Sequence, residues 1–151
     1  MSDPPRPSAA PCACSRLRRA SRAVTQLYDD ALACVGLRVT QLSLLRTLQR
    51  HGPLRIGELA ARTLLDRTAL SRNLDPLAQR MLVAVVPGRD ARTREVTLTT
   101  QGIAAIAAAA PHWERAQAEV AERIGSDRLD NLYKVLLDME SLHPAPAGRA
   151  A

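Results

Sequence analysis

Apolar residues recur every three or four positions along most of the chain, a spacing that is typical of amphipathic helices. The first such stretch covers about residues 15–34, and Gly36 ends it. Its apolar positions are Leu17, Ala20, Val24, Leu27, Ala31 and Val35. Thr40 is expected to cap a second helix, which stops at Gly52 and Pro53.

A short third helix is predicted at about residues 56–62, and a fourth helix follows Asp66, a residue type that favours helix N-caps. The apolar positions of the fourth helix fall in a stripe roughly 60° wide at 100° per residue, which indicates one buried face. These positions are Leu70, Leu74, Leu77 and Met81. Pro76 lies inside this helix, so we expect a local bend that tertiary packing tolerates.

The period changes after Leu82, where two short strands are predicted at about residues 82–86 and 94–98, around an Arg-rich hairpin tip. A long helix should follow, capped by Thr99 or Thr100 and kinked at Pro111. Its inward positions have the spacing of a coiled-coil seam. They are Ile103, Ile106, Ala110, Trp113, Gln117, Val120 and Ile124.

A last helix, from about residue 127 to 142, is expected to bury Leu129, Leu132, Tyr133 and Leu136. This order of elements predicts an all-α dominated (α+β) fold, a winged helix-turn-helix flanked by extra helices at both ends. The winged lobe covers about residues 37–98. The flanking helices cover about residues 15–35 and 99–142.

The composition fits a single domain. The chain has 151 residues, of which 46% are apolar and 24% charged. The domain should span residues 12–142, between disordered tails at residues 1–11 and 143–151. With no Phe, one Trp and two Tyr, its core must consist of Leu, Val, Ile and Ala.

The net charge of +6 implies an anionic partner, and nucleic acid and membrane surfaces are the common ones. No apolar run approaches the roughly 20 residues that span a bilayer, so we expect a cytoplasmic protein that does not bind membranes. Three cysteines should then remain thiols. Neither an enzyme nor a cofactor is indicated, because a Gly-rich phosphate loop, a metal-binding helix pair and a nucleophile elbow are all missing from the sequence.

The polar face of the fourth helix predicts contact with double-stranded DNA. Thr68 and Arg72 lie opposite the buried stripe, with Arg67 and Ser71 on its flanks. A helix that exposes Arg, Thr and Ser in its first two turns can enter the major groove, where Arg donates two hydrogen bonds to guanine. A solvated helix face is the simpler interpretation of the same pattern.

The hairpin tip strengthens the DNA interpretation, because Arg89, Arg92 and Arg94 lie within six residues. Arg side chains are drawn into narrow minor grooves by the concentrated phosphate potential. A winged helix that binds a protein partner is the competing class. DNA binding would weaken steeply with salt, whereas a protein-binding module would give a flat response.

From residue 37 to 102 the sequence resembles the MarR family of winged-helix repressors. The segments that carry the resemblance are residues 56–60 (IGELA), 65–74 (LDRTALSRNL), 90–92 (DAR) and 96–102 (VTLTTQG). The resemblance implies that Asp90 and Arg92 brace the wing while its tip touches the minor groove. It also implies a homodimer built from the first, fifth and sixth helices, which would meet a pseudo-palindromic operator and repress transcription.

Members of this family release DNA when a signal reaches the dimer, and the cysteines are the candidate sensors. Cys14 lies at the start of the first helix, where the helix dipole and neighbouring Arg residues favour a thiolate. In the organic-hydroperoxide-sensing branch, a reactive Cys stands there with partner tyrosines further along. Cys14 and Tyr28 match that pattern, whereas Arg18 replaces the second tyrosine.

Other signals remain open. Cys12 and Cys14 together could bind a soft metal or arsenite, and a small aromatic or anionic ligand could bind between the DNA lobe and the dimer helices. Cys34 closes the first helix, about 30 Å from Cys14 at 1.5 Å per residue, and is expected to be a small buried residue unless it joins a site between subunits. The three histidines are single and are expected to be surface residues. They are His51, His112 and His143.

Overall fold

A computed structural model describes residues 11–88, 90 and 92–142. The predicted tails therefore lie outside the described residues, apart from Pro11. The predicted order of elements is confirmed, with a small third strand in addition. The elements are α1 (Ala13–Leu32), α2 (Val39–His51), β1 (Leu54–Arg55), α3 (Ile56–Thr63), α4 (Arg67–Gln79), β2 (Val83–Pro87), β3 (Arg94–Leu98), α5 (Thr100–Ile124) and α6 (Ser126–Glu140).

The three strands form an antiparallel sheet in the order β1-β3-β2. In the hairpin, Val83 pairs with Leu98 and Pro87 pairs with Arg94. On the other side of β3, Leu54 pairs with Val96. The sequence did not predict β1, because two residues are too few to show an alternating pattern. This strand connects α2 and α3 to the wing, so β3 is paired with a strand on each side.

The core lies in the winged lobe, where α2, α3, α4 and the sheet meet, and it is aliphatic as predicted. The fully buried side chains are Leu32, Leu42, Leu44, Leu45, Leu48, Leu59, Leu70, Leu77 and Val96. The prediction that Met81 joins the buried stripe of α4 is wrong. Met81 is 62% exposed, because α4 ends at Gln79 and Met81 adopts a left-handed conformation (φ 54°) that turns the chain toward β2.

The helix caps agree only in part with the sequence. Asp66 caps α4, since its carboxylate accepts the Ala69 N–H at 2.8 Å. Thr99 caps α5 by accepting the Gly102 N–H at 3.0 Å. Thr40, however, is not the cap of α2, which begins at Val39; the Val39 N–H is satisfied instead by the Asp29 carboxylate at 2.7 Å. The Gln41 side chain also accepts the Arg38 N–H at 3.0 Å, so one side chain from α1 and one from α2 itself complete this end of the helix.

The helices α1, α5 and α6 pack around a smaller cluster of Tyr28, Ala116, Val120 and Leu129. Burial of Leu129 is confirmed, but Leu132 and Tyr133 are exposed within the protomer, at 38% and 45%, and Leu136 is only half-buried. Ile103 of the predicted seam is also exposed. These residues lie on faces that no other part of the described chain covers.

Within the described part of the chain, no single helix is long and apolar enough to cross a membrane. A pair of segments, residues 13–35 and 39–51 with a 75° bend between them, passes such a test jointly on length and composition alone.

Candidate nucleic-acid interface

Helix α4 presents the four predicted DNA-reading side chains, and all four are exposed: Arg67, Thr68, Ser71 and Arg72. Leu70, Leu74 and Leu77 bury the opposite face against the core. The apolar stripe fixes the rotation of α4 about its axis, so its first two turns offer two guanidinium groups and two hydroxyls to the outside. Such a surface fits the width and the hydrogen-bonding pattern of a DNA major groove.

Asn73 connects α4 to the start of α2. Its Oδ1 accepts the Thr40 hydroxyl at 2.9 Å, and its Nδ2 donates to the Ala69 carbonyl at 2.8 Å. Thr40, which the sequence suggested as a helix cap, is therefore part of the contact between the two helices. This bond sets the distance between the beginning of α2 and the outward face of α4.

A groove lies between these two helices, and sequence reasoning missed it. Two positive side chains line it, Arg38 from the start of α2 and Arg72 from α4, beside the hydroxyl of Thr40 and the amide of Asn73. Guanidinium, hydroxyl and amide donors together suit a phosphate oxygen. The groove depends on a contact between residues 33 positions apart, Thr40 and Asn73, so no local sequence signal could have found it.

The wing turn is closed around Asp90. Its carboxylate accepts the backbone N–H of Arg92 at 3.1 Å, and its carbonyl accepts the Thr93 N–H and hydroxyl, both at 2.8 Å. The structure thus brings the expected brace residues together through the backbone of Arg92. Among the described side chains, Asp90 and Arg92 make no ion pair. The guanidinium of Arg92 is exposed, as is Arg94 at the start of β3, whereas Arg89 lies outside the described residues.

One of the six Arg residues between positions 66 and 94 does not belong to this surface. Arg80, at the end of α4, donates from Nη2 to the Val35 carbonyl at 3.3 Å and from Nη1 to the Gly36 carbonyl. These carbonyls belong to the connector, which we define as residues 33–38 between α1 and α2 and which begins with a 3-10 helix, Ala33–Val35. Arg80 therefore ties the far end of α4 to the connector.

The candidate sensor residues at the start of α1 are exposed. Cys12 is the N-cap of α1, and hydrogen bonds from the backbone and side chain of Ser15, then from the backbone of Cys14, lower the pKa of the Cys12 thiol. Cys14 lies in the first turn. The structure thus gives the cap position to Cys12, two residues before Cys14, which the sequence favoured as the reactive thiol.

Tyr28 is distant from both of these cysteines, since fourteen residues of helix separate it from Cys14, about 21 Å at 1.5 Å per residue. Its buried hydroxyl donates to Gln117, whose amide donates to the Tyr133 hydroxyl at 3.0 Å. Burial, followed by the nearby Tyr133, raises the pKa of Tyr28. Within one protomer, the expected pairing of Tyr28 with Cys14 is not formed.

Cys34 does not fit its expected description as a small buried residue, because it is exposed. His112 is not isolated either. Its Nδ1 and Nε2 atoms lie 3.3 and 3.5 Å from the Cys34 sulphur, a contact between positions 78 apart that the sequence could not show. Among the described residues, no three His, Cys, Asp or Glu side chains are arranged to hold a metal ion.

Between the winged lobe and the long helices, Arg46 of α2 lies over the indole ring of Trp113 of α5, with Cζ 4.2 Å from the ring centroid. The Tyr28 ring lies near the same indole, with centroids 6.4 Å apart and an angle of 37° between the ring planes. A cation and two aromatic rings thus meet where the sequence suggested a site for a small ligand. In the protomer these groups contact each other.

Comparison with known proteins agrees with this geometry. A sequence model described as the MarR family matches residues 35–93, from the connector to the wing. Among solved structures, the chain is similar to the transcriptional regulator MosR of M. tuberculosis in complex with DNA. The two are 37% identical, the match covers 88% of this chain and 99% of that chain, and the TM-score is 0.74.

The transcriptional repressor CouR, solved bound to a 23-mer DNA duplex, is 26% identical over 85% of this chain and 92% of its own, with a TM-score of 0.78. Wild-type MarR from E. coli in its apo form is 20% identical over 86% of this chain and 98% of its own, with a TM-score of 0.71, and it supports the fold alone. No curated protein sequence matches significantly.

Proposed function

The chain belongs to the MarR family of transcriptional regulators, and from this premise we propose that it is a cytoplasmic homodimeric repressor of a pseudo-palindromic operator. The observation that carries the proposal is the exposed Arg, Thr and Ser surface of α4, held in place by a fully buried opposite face. The similarity to MosR and CouR, both solved with DNA, supports a DNA partner.

Each part of the surface has a role in this proposal. Thr68, Ser71 and Arg72 read base edges in the major groove, and Arg67 contacts phosphate. Arg92 and Arg94 serve the minor groove, and Arg89 extends the same cationic wing in the sequence. The groove between α2 and α4 positions a backbone phosphate, which fixes the register of the recognition helix without reading sequence.

The exposed apolar residues of the long helices support a second copy as the missing partner. They are Leu17, Val24, Ile103, Leu132, Val135 and Leu137. A face of this kind on a small protein marks an interface. A two-fold dimer would place two α4 helices about one DNA turn apart, which is the spacing that a pseudo-palindrome requires.

The signal in this proposal is oxidation of the thiols at the start of α1. The Cys12 thiolate attacks an organic hydroperoxide, the O–O bond breaks, the alcohol leaves and Cys12 becomes a sulfenic acid. The Cys14 thiol then displaces water to form a disulfide between the two cysteines. The lowered pKa of Cys12 supports its role as the attacking thiol. A soft metal ion bound by the same two thiols would be an alternative signal.

A second candidate signal is a small aromatic or anionic ligand. The Arg46–Trp113 contact favours it, because an anionic ring could replace the interaction between the guanidinium and the indole. Such a ligand would bind between the lobe that holds α4 and the long helices. It would release DNA from a protein whose cysteines are all replaced by serine, whereas an oxidant would not.

Fluorescence anisotropy of the reduced protein on the duplex upstream of its own gene tests the proposal. We expect affinity to fall as salt rises. A plot of log binding constant against log salt concentration should have a slope of about −0.9 per neutralised phosphate. Arg72→Ala should weaken binding by about 1–3 kcal/mol and relax discrimination at one base pair in each half-site. Arg123→Ala, on the far part of α5, is the matched control and should leave binding unchanged. A flat salt response would indicate a protein-binding module instead.

Addition of stoichiometric organic hydroperoxide tests the signal. We expect binding to collapse and to return with dithiothreitol. Replacement of Cys12 and Cys14 by serine, alone and together, should preserve DNA binding and abolish release by the oxidant. Release that persists in the double variant would place the sensor elsewhere in the protein.

A further inference from the structure

The contact between Cys34 and His112 joins two reactive groups that the proposed function leaves unused. The sulphur of Cys34, in the connector, lies 3.3 Å from Nδ1 and 3.5 Å from Nε2 of the imidazole, which belongs to α5. Cys34 is exposed to solvent, and His112 is half-buried beneath it. A thiol beside an imidazole is the arrangement of an activated nucleophile.

The position of Arg115 indicates which imidazole nitrogen carries the ring proton. Its Nη2 lies 2.5 Å from His112 Nδ1. A guanidinium can only donate hydrogen bonds, so Nδ1 accepts and the ring proton of the neutral imidazole resides on Nε2. The Nε2–H group then lies 3.5 Å from the sulphur of Cys34, slightly further than Nδ1 at 3.3 Å. A donor at this position stabilises the charge of a thiolate nucleophile.

The same arrangement argues against a metal ion. A metal ligand would need Nε2 without its proton, and the second nitrogen of a ligating His normally donates to an acceptor. Arg115 offers Nδ1 a donor instead. No third His, Cys, Asp or Glu side chain completes a metal site among the residues that the structure describes.

Cys34 is also linked to α4, the recognition helix, through hydrogen bonds of the connector. The two carbonyl groups that follow it in the chain, of Val35 and Gly36, accept hydrogen bonds from Arg80 at the end of α4. Gly36 adopts a left-handed conformation (φ 66°), so the connector makes a specific turn at this point. A change in the position of the connector therefore reaches α4 through one side chain.

We propose that Cys34, His112 and Arg115 form a reactive-thiol site for low-molecular-weight anionic disulfides. The resulting adduct moves the connector and weakens the hydrogen bonds by which Arg80 ties the end of α4 to it. The Cys34 thiol loses its proton to solvent, and its thiolate attacks one sulphur of the disulfide. The S–S bond breaks, and the other half leaves as a thiolate. Cys34 ends as a mixed disulfide, which a reducing thiol reverses by the same exchange.

Disulfides fit this site better than peroxides do. A sulfenic acid at Cys34 has no second thiol of the same protomer within reach, because Cys12 and Cys14 lie about 30 Å away along α1. A mixed disulfide needs no such partner. The positive charge of Arg115, which contacts the imidazole next to the sulphur, favours anionic reagents. The bulk of the adduct would occupy the space between the connector and α5.

The reactivity of the site can be tested without DNA. The full chain with Cys12→Ser and Cys14→Ser keeps Cys34 as its one thiol, and dithionitrobenzoate, an anionic aromatic disulfide, releases a coloured thiolate on reaction. We expect one equivalent per chain, at a rate that His112→Leu lowers about tenfold, the effect of losing one hydrogen bond to a charged group. His112→Gln, which retains an N–H near the Nε2 position, should restore part of that rate.

Controls separate this effect from a change of fold. His51→Leu, at the end of α2, should leave the rate unchanged. Arg115→Met should slow the reaction while the thermal midpoint stays that of the parent. It should also reduce the ratio of the rate with an anionic disulfide to the rate with a cationic one. Equal rates in the parent and His112→Leu, with equal thermal midpoints, would overturn the proposed site.

The link to α4 rests on the proposed DNA-binding function and has its own readout. Modified Cys12→Ser, Cys14→Ser protein should bind the upstream duplex about tenfold more weakly than the reduced form, with recovery in dithiothreitol. Addition of Arg80→Met should leave the rate of thiol modification unchanged and remove the difference in affinity. Addition of Cys34→Ser should abolish both the reaction with the disulfide and the change in DNA affinity.

The failures of the two proposals are distinguishable. A reduced parent protein that binds no duplex would overturn the DNA-binding function, whereas the rate of thiolate release would still test the site at Cys34. Tight binding by both the reduced and the fully modified protein would overturn the link through Arg80.

Discussion

The winged lobe and the long helices of this protein bury their apolar residues to different degrees. In the lobe, Leu44, Leu45 and Leu59 have no measurable exposure, and the core is closed within one chain. On α6, Leu132 and Val135 remain exposed, although their spacing is that of a buried stripe. The lobe is thus complete in a single protomer, whereas α1, α5 and α6 present a surface that a second copy would complete.

Apolar periodicity thus predicts that a residue is buried. It does not distinguish burial within one chain from burial against a second chain. The seam predicted on α5 and the stripe predicted on α6 follow the same rule as the stripe on α4. The stripe on α4 is mostly covered within the protomer by α2, α3 and the sheet. On α5 only Ile103 of the predicted seam is exposed, whereas on α6 both Leu132 and Tyr133 are exposed. In the proposed dimer, an interface between subunits would therefore resemble part of a core in the sequence.

The largest effect is expected in the closed core of the lobe. Leu44→Ala removes a side chain with 0% exposure and should lower the free energy of unfolding by about 2–5 kcal/mol, because the cavity left behind is not filled. Urea unfolding followed by circular dichroism measures this loss. A cost below that of an exposed Leu→Ala change would mean that the lobe is not the rigid part of the molecule.

The exposed face of α6 should behave in the opposite way. Leu132→Ala with Val135→Ala should weaken dimerisation by about 1.5–3 kcal/mol, the order expected for the loss of buried aliphatic surface, and should leave the lobe folded. Sedimentation equilibrium gives the dimer dissociation constant, and Lys134→Ala on the same helix is the control. An unchanged dissociation constant would remove this face of α6 from the interface and weaken the contrast between the two regions.

The junction between the regions depends on Gly102, in the first turn of α5. A Cβ atom there would lie 2.1 Å from the carbonyl oxygen of Leu82 and 2.6 Å from Leu98 Cδ1. Gly102→Ala should therefore destabilise the protein by about 1–3 kcal/mol, since a backbone atom must move. Gly57→Ala in α3 is the matched control, because nothing lies within 4 Å of its added Cβ.

The thermal midpoints of the two variants decide this prediction. Gly57→Ala should be neutral or stabilising, since alanine has the higher helix propensity. If Gly102→Ala melts with the parent protein, the wing and α5 are less tightly joined than the structure indicates. The wing would then move independently of the long helices.

The sequence predicted the parts of the molecule whose cause is local. The apolar stripe of α4 without Met81, its Asp66 cap and the short strand β3 each depend on neighbouring residues, and all three are confirmed. The contacts that the sequence could not predict join distant positions. Thr40 bonds to Asn73 instead of capping α2, and Cys34 meets His112 because α1 and α5 pack together.

The roles of individual residues were harder to predict than the surface that they share. The exposed face of α4 followed from its period, but Arg80, which lies just beyond it, proved to bond the connector. Its positive charge alone would have assigned it to DNA. An Arg side chain is long enough to reach a backbone carbonyl elsewhere in the fold, and no spacing rule tells the two uses apart.

The smallest expected effect is a change in the titration of Cys12, at the free end of α1. Hydrogen bonds from Ser15 lower the pKa of this thiol, so the thiolate persists to lower pH in the folded protein than in the unfolded chain. The sign follows from this direction: the start of α1 is stabilised above the unfolded pKa, and that stabilisation is lost as the pH falls through the folded pKa. In a chain that keeps only Cys12, the pH midpoint of alkylation by iodoacetamide should lie below that of the same chain in urea. Ser15→Ala should raise the midpoint, because the hydroxyl donor is lost while the backbone donor remains. Ser21→Ala, further along the same exposed stretch, should leave the midpoint unchanged.

Equal midpoints in the folded and unfolded chain would show that this exposed end of the helix does not stabilise the thiolate of Cys12. The attacking role would then pass to Cys14.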